Sequence, residues 1–258
     1  MRPTSFLRRL FQFRLRTLLL AVLALSLTLG WYVRQVELQR QAVAAVKNAG
    51  GDVFYDYELS AGKLDFQKKS PIPQALFDRL GIDFFHAVAR VDTGPASSNS
   101  EAQTMDAAIA RLPDLPRLQH LVVADASDDR LKAAAKLAQL ERLAIVDDGG
   151  RITDEGLKEL RHLRRLKCLW IEGVGGLTDE TLDAISTLED LEVLSLGPAR
   201  PGSADPDFTE IGLAHLARLK NLKVLRIQGC DEGEFARLRK ALPNCEVTAW
   251  CLLDTGTE

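Results

Sequence analysis

The sequence predicts an α/β solenoid, with parallel strands on a concave face and helices on a convex face, preceded by a single N-terminal transmembrane helix. Three observations predict it. The stretch from Arg151 to Gly229 writes one pattern three times, starting at Thr153, Thr178 and Thr209. In each copy a Thr stands four residues ahead of a Leu (Leu157, Leu182, Leu213), and apolar residues then recur at every third position up to a Leu-x-Ile or Leu-x-Leu ending. Self-similarity at this period marks stacked units that share one core. The hydrophobic period also changes within each copy, from helical to alternating. Lastly, Thr17 to Val33 is an uncharged apolar run bounded by Arg16 and Arg34.

One copy shows how the elements arise. Thr178-Asp-Glu-Thr-Leu182-x-x-Ile185-x-x-Leu188 has a capping residue, acids in the first turn and one apolar face, which predicts a short helix. Leu191-x-x-Leu194-x-Leu196 then ends on the two-residue alternation of a strand, with Ser195 on the opposite side from its neighbours. A single helix and strand cannot cover its own apolar faces. Copies must therefore stack, strands beside strands and helices outside.

The strand segments read Leu118-x-x-Leu121-x-Val123, Leu140-x-x-Leu143-x-Ile145, Leu166-x-x-Leu169-x-Ile171, Leu191-x-x-Leu194-x-Leu196 and Leu222-x-x-Leu225-x-Ile227. This frame resembles the leucine-rich repeat family, closest to its ribonuclease-inhibitor-like and cysteine-containing subtypes, and the anchored proteins of that kind in bacteria. Only Cys230 meets the family's Asn/Cys position after the strand; Ala126, Asp148, Val174 and Ala199 stand there in the other copies. The resemblance covers residues 85–250, and it implies a solenoid whose concave face binds protein partners.

From the N-terminus, residues 1–16 form a basic cytoplasmic segment and 17–33 the membrane anchor. The 17-residue run gives a helix of about 25 Å, which Leu15 and snorkelling arginines extend toward a bilayer core of about 30 Å. Trp31 and Tyr32 stand where an interfacial aromatic belt falls. A cleaved signal peptide, the competing reading, shares the basic start. The nearest approach to a small-x-small cleavage site, Thr28-Leu-Gly30 before Trp31, is a poor one, which favours an uncleaved anchor. Arg2, Arg8, Arg9, Arg14 and Arg16 precede it, so the positive-inside bias keeps the N-terminus cytoplasmic and the repeats extracytoplasmic, periplasmic or at the cell surface.

Residues 34–49 are rich in helix formers and are expected to continue the anchor as a stalk, ending at Asn48-Ala-Gly50-Gly51. Residues 50–84 are expected to form the N-terminal cap, with a strand over Asp52–Leu59 and a short helix over Gln74–Leu80. Phe84 to Val91 reads as a first, degenerate strand, and Asp92 to Gln103 as a surface loop. Repeats occupy 85–244. A last helix around Phe235 to Leu242 leads to a closing strand, and 245–258 form the C-terminal cap and tail.

Composition excludes several functions. Residues 1–33 carry +5, whereas the remainder carries −8, and an acidic body does not suit a nucleic-acid surface. His86, His120, His162 and His215 form no metal-binding pair, Gly173-Val-Gly-Gly176 lacks the Gly-Lys-Ser/Thr ending of a phosphate loop, and no nucleophile elbow appears. No catalytic, cofactor or metal residues are assigned. Cys168 is expected as a free thiol. If Val247 is the register mate of Leu225, Cys251 falls beside Gly229, and a disulfide between Cys230 and Cys251 becomes feasible.

The binding residues expected on the concave face are His120, Asp125, Arg142, Asp147, Trp170, Glu172, Ser195, Arg226 and Gln228. Trp170 sits centrally among Arg142, Glu172 and Arg226, the composition of a hot spot. The competing reading packs Trp170 under the Pro198 to Pro206 insertion. The sequence thus points to a non-enzymatic, membrane-anchored recognition domain for a protein partner. Two other classes stay open: a ubiquitin-ligase-type substrate receptor, implied by the repeats but lacking an F-box region, and an envelope hydrolase, for which no clustered acid, base and nucleophile is evident.

Overall fold

The computed structural model describes residues 15–60, 63–65, 67–95, 98–147, 151–199, 208–228 and 232–249. The anchor run and the expected stalk form one uninterrupted helix, α1 (Leu15–Asn48). Strands β1 (Asp52–Tyr55) and β4 (Val88–Asp92) flank the small β2–β3 hairpin (Leu59–Ser60 and Lys63–Leu64) and the short helix α2 (Gln74–Leu80). Helix and strand then alternate as α3 (Asn99–Ile109), β5 (His120–Val123), α4 (Asp128–Ala134), β6 (Arg142–Val146), α5 (Asp154–Lys158) and β7 (Cys168–Gly173). The series ends with α6 (Asp179–Ile185), β8 (Val193–Ala199), α7 (Glu210–His215), β9 (Val224–Ile227), α8 (Glu232–Ala241) and β10 (Glu246–Ala249).

The sheet has eight strands in the order β1-β4-β5-β6-β7-β8-β9-β10. All neighbours are parallel except β1 and β4, which pair antiparallel with Asp52 opposite Asp92. The apolar frame sets the register: Leu121, Leu143, Leu169, Leu194, Leu225 and Val247 lie side by side. Each is 4% exposed or less, as are the outer leucines Leu118, Leu140, Leu166, Leu191 and Leu222. Slipping one strand by a residue would turn such a row to solvent, so one face of alternating apolar residues suffices to hold the register.

Helices of only five to seven residues, as α5 and α6 are, have little intrinsic stability. A side-chain ladder joins their N-terminal ends. Asp128 accepts from the backbone N–H of Thr153 at 2.9 Å and its Oγ1 at 2.7 Å. Asp154 accepts from Thr178 Oγ1 at 2.8 Å and from Thr181 Oγ1, and Asp179 accepts from the Thr209 N–H at 2.8 Å and Oγ1 at 2.5 Å. Each first-turn Asp therefore clamps the capping Thr of the next unit. Thr178 and Thr209 also cap their own helices, whereas Thr153 makes no side-chain cap and only feeds Asp128.

The ladder explains two glycines. A Cβ on Gly156 would lie 2.2 Å from Asp128 Oδ1, and one on Gly212 would lie 1.8 Å from Asp179 Oδ1. In the last copy the first-turn acid is Glu210, and it pairs with Arg237 of α8 instead of a Thr.

Two expectations change here. The predicted loop 92–103 is shorter, because Ser98 caps α3 by accepting from the Glu101 N–H and the helix starts at Asn99. The predicted stalk is not free: Val36, Ala42, Val43 and Val46 are buried, and the last three join the continuous core. The upper half of α1 thus covers the exposed end of the first repeat, a task assigned beforehand to residues 50–84 alone. Its lower half is a sleeve of exposed apolar side chains, from Leu18 at 52% to Val33 at 51% exposure. By length and composition α1 is long and apolar enough to cross a membrane.

Candidate partner-binding face

Alternation along the parallel strands produces two straight rows on the concave face. Arg90, His120, Arg142, Cys168, Val193 and Val224 form the first row. Asp92, Val122, Ala144, Trp170, Ser195, Arg226 and Thr248 form the second. Neighbours in a row are about 4.8 Å apart. Trp170 therefore stands between the small side chains of Ala144 and Ser195, and remains half-buried. Arg226 follows one strand beyond Ser195, while Arg142 lies diagonally across on β6, opposite Cys168, and Glu172 two residues further along β7.

The structure separates the expected binding residues into two groups. Arg142, Trp170, Glu172, Arg226 and Gln228 are partly exposed. Four others are corrected. Ser195 is 2% exposed and His120 is 7% exposed. Burial, together with Arg142 and Arg90 on either side, lowers the His120 pKa to about 4, so it is a neutral packing residue at physiological pH. Asp147 is fully buried, and its carboxylate accepts from the backbone N–H groups of Arg151 and Ile152. Asp125 holds a left-handed turn at φ 50° and is engaged by Arg151, with Arg130 at 3.9 Å. Both carboxylates organise turns; sequence position alone placed them on the face.

Arg90 and Asp92 extend the two rows and were not singled out from sequence. The degenerate strand was expected to run from Phe84 to Val91, whereas it runs from Val88 to Asp92 and brings both onto the concave face. Arg90 is bidentate with Asp92 at 2.7 Å and lies 5.7 Å from the Phe54 ring centroid. Cys168 is a buried free thiol whose pKa burial raises, and Cys245 is free also. Cys230, Cys251 and the 200–207 insertion lie outside the described residues.

One constellation escaped the sequence reading because its members are far apart in the chain. His86 Nε2 lies 2.8 Å from Ser70 Oγ, and His86 Nδ1 lies 2.8 Å from Asp56 Oδ1. The distances match those of a nucleophile relay. Its surroundings do not: the residue after Ser70 is Pro71, which has no N–H to offer an oxyanion, and the Ile72 N–H is spent on Ser70 Oγ at 3.1 Å. The trio ties the cap together, with Tyr57 against the His86 ring at 4.5 Å. Among the described residues no group of three His, Cys, Asp or Glu side chains could hold a metal ion.

Fold and face together define a solenoid of short helices on a parallel sheet, carrying a long apolar N-terminal helix. No family model and no curated protein matches the chain. Among solved structures it is similar to internalin C2 of Listeria monocytogenes, at 17% identity and a TM-score of 0.40, over 81% of this chain and 86% of that one. It is also similar to a leucine-rich repeat protein of Leptospira interrogans, at 20% identity and a TM-score of 0.32. That second match covers 54% of this chain and 39% of the other.

Proposed function

We propose that this chain is a membrane-anchored, non-enzymatic recognition protein that binds a protein partner on its concave face. The observation that carries the reading is the second row: a half-buried indole raised between Ala144 and Ser195, with Arg226 in line and Arg142 and Glu172 beside it. An aromatic anchor ringed by charged groups is the usual make-up of an energetic centre. The partner that fits offers an apolar cleft for Trp170 and carboxylates for Arg142 and Arg226.

Residues 17–33 are the anchor in this reading, because the apolar side chains from Leu18 to Leu29 are exposed along α1 and need an apolar surrounding. Five arginines before the sleeve hold the N-terminus in the cytoplasm and place the repeats outside. Trp170→Ala tests the face. With a photocrosslinking residue at Gln228, the substitution abolishes the crosslinked partner while the melting temperature stays unchanged. A lowered melting temperature with the crosslink retained would instead make Trp170 a packing residue.

A further inference from the structure

We propose that the edge of the solenoid where its strands begin is a docking surface for anionic phospholipid headgroups, so that the domain lies against the bilayer. The proposal rests on the anchor reading given above. It starts from where α1 leaves the domain. Asp52 pairs with Asp92, which sets the C-terminal end of α1 at the edge where strands finish. Going down α1 therefore leads to the opposite edge. Trp31 and Tyr32 line a cavity of about 330 Å³ there with Pro116 and Arg117, which belong to the turn entering β5. Since α1 packs beside α3 as one more convex helix, every turn from a helix into a strand comes to this same edge.

The two edges differ in charge balance, the distal one acidic and the proximal one mixed with a surplus of bases. The distal edge, where strands pass into helices, carries Asp125, Asp128, Asp154, Glu172, Asp179 and Glu210. The proximal edge carries Arg117, Lys136, Arg161, Arg164 and Lys220, all exposed, and none of these five meets a carboxylate among the described residues. Asp114, Glu141, Glu192 and Glu246 are also at this edge; Lys167 and Lys223 neutralise Glu141 and Glu192 at 2.8 and 2.7 Å, and the bases of these turns still outnumber the acids. An open groove of about 1040 Å³ runs between Arg161, Arg164, Arg218 and Lys220, with Glu189 and Asp190 on its wall. A surplus of exposed cations on the edge from which an apolar helix emerges fits phosphate-bearing lipid, while the acidic edge is repelled outward. The acidic net charge of the whole body hides this polarity.

The test uses the full chain in vesicles, with a fluorescent amino acid at Asn221 on the proximal edge, at Gln103 on α3, or at Leu25 in the sleeve. In phosphatidylcholine vesicles containing phosphatidylglycerol, a headgroup-attached quencher should quench position 221 and leave 103 bright. The quenching at 221 should vanish in pure phosphatidylcholine, and between about 0.1 M and about 1 M salt, where the screening length falls from about 10 Å to about 3 Å. Combining Arg161→Glu, Arg164→Glu and Lys220→Glu should shift the docked-to-undocked ratio by at least about a hundredfold, with an unchanged melting curve. If 221 stays as bright as 103 in phosphatidylglycerol while 25 is shielded from an aqueous quencher, the anchor stands and the docking surface is refuted. If 25 is reached by the aqueous quencher, the anchor reading fails and the docking surface falls with it.

Discussion

The contact between Asp179 and Gly212 offers a quantitative test of how the units hold together. Asp179→Ala removes a charged acceptor from the Thr209 N–H at 2.8 Å and from its Oγ1 at 2.5 Å. Hydrogen bonds to charged groups contribute about 1.5–3 kcal/mol each, and partial exposure puts this pair at about 2 kcal/mol in total. For a domain of this size that corresponds to about 4–8 °C in melting temperature. Gly212→Ala should cost about as much by another route. Its Cβ would sit 1.8 Å from Asp179 Oδ1 and 2.4 Å from Cγ, so the carboxylate must leave Thr209. An added methyl in a helix otherwise stabilises by about 0.5–1 kcal/mol. In the Asp179→Ala background the carboxylate obstacle is gone, although the Asp179 Cβ remains 3.0 Å away and cancels that gain. The double variant should therefore be no less stable than Asp179→Ala alone, giving a coupling of about 2 kcal/mol by urea denaturation. Additivity within about 0.5 kcal/mol, or a stabilising Gly212→Ala in the native background, would refute the ladder.

Arg130 is 3% exposed and donates to Asp106 at 2.6 Å and to the carbonyls of Ala102, Ala124 and Asp125 at 2.9–3.1 Å. Arg130→Leu should cost about 3 kcal/mol by denaturation, against under about 1 kcal/mol for the exposed Arg237→Leu. His120, with its pKa lowered to about 4 from an ordinary 6.5, holds fewer protons folded than unfolded between those values. Its neutral form thus favours folding above pH 6.5, and stability is lost as pH falls toward 4; the denaturation midpoint of His120→Gln should lose this part of the acid dependence. Cys168 should react with a thiol reagent only on unfolding, since burial both hides it and raises its pKa; fast labelling of the native Cys168 would contradict its placement.

The repeat frame was legible because burial alternates with a fixed period: the leucines at 121, 143, 169, 194 and 225 could form a core row only in one register. The register taken as a condition, Val247 beside Leu225, is the one observed, and the helix over Gln74–Leu80 was legible from the proline break before it. The candidate face was legible in part. Arg142, Trp170, Glu172, Arg226 and Gln228 kept their exposure, but alternation states which side of a strand a residue takes, not how deeply its neighbours cover it. So Ser195 and His120 were misjudged, as were Asp125 and Asp147, whose roles depend on partners such as Arg151 that only turn geometry brings near.

Long-range pairing decided the rest. The motif Thr-Asp-Glu looked like helix capping within one unit, yet Asp128, Asp154 and Asp179 act on the unit after their own. The meeting of Asp56, Ser70 and His86, the packing of Ala42, Val43 and Val46 on the first repeat, and the difference in charge balance between the edges depend likewise on how the chain stacks. Periodicity is a local property and survives in a one-dimensional string. Contacts across units, and the charge each edge presents, come into being only when stacking sets distances that chain spacing does not contain.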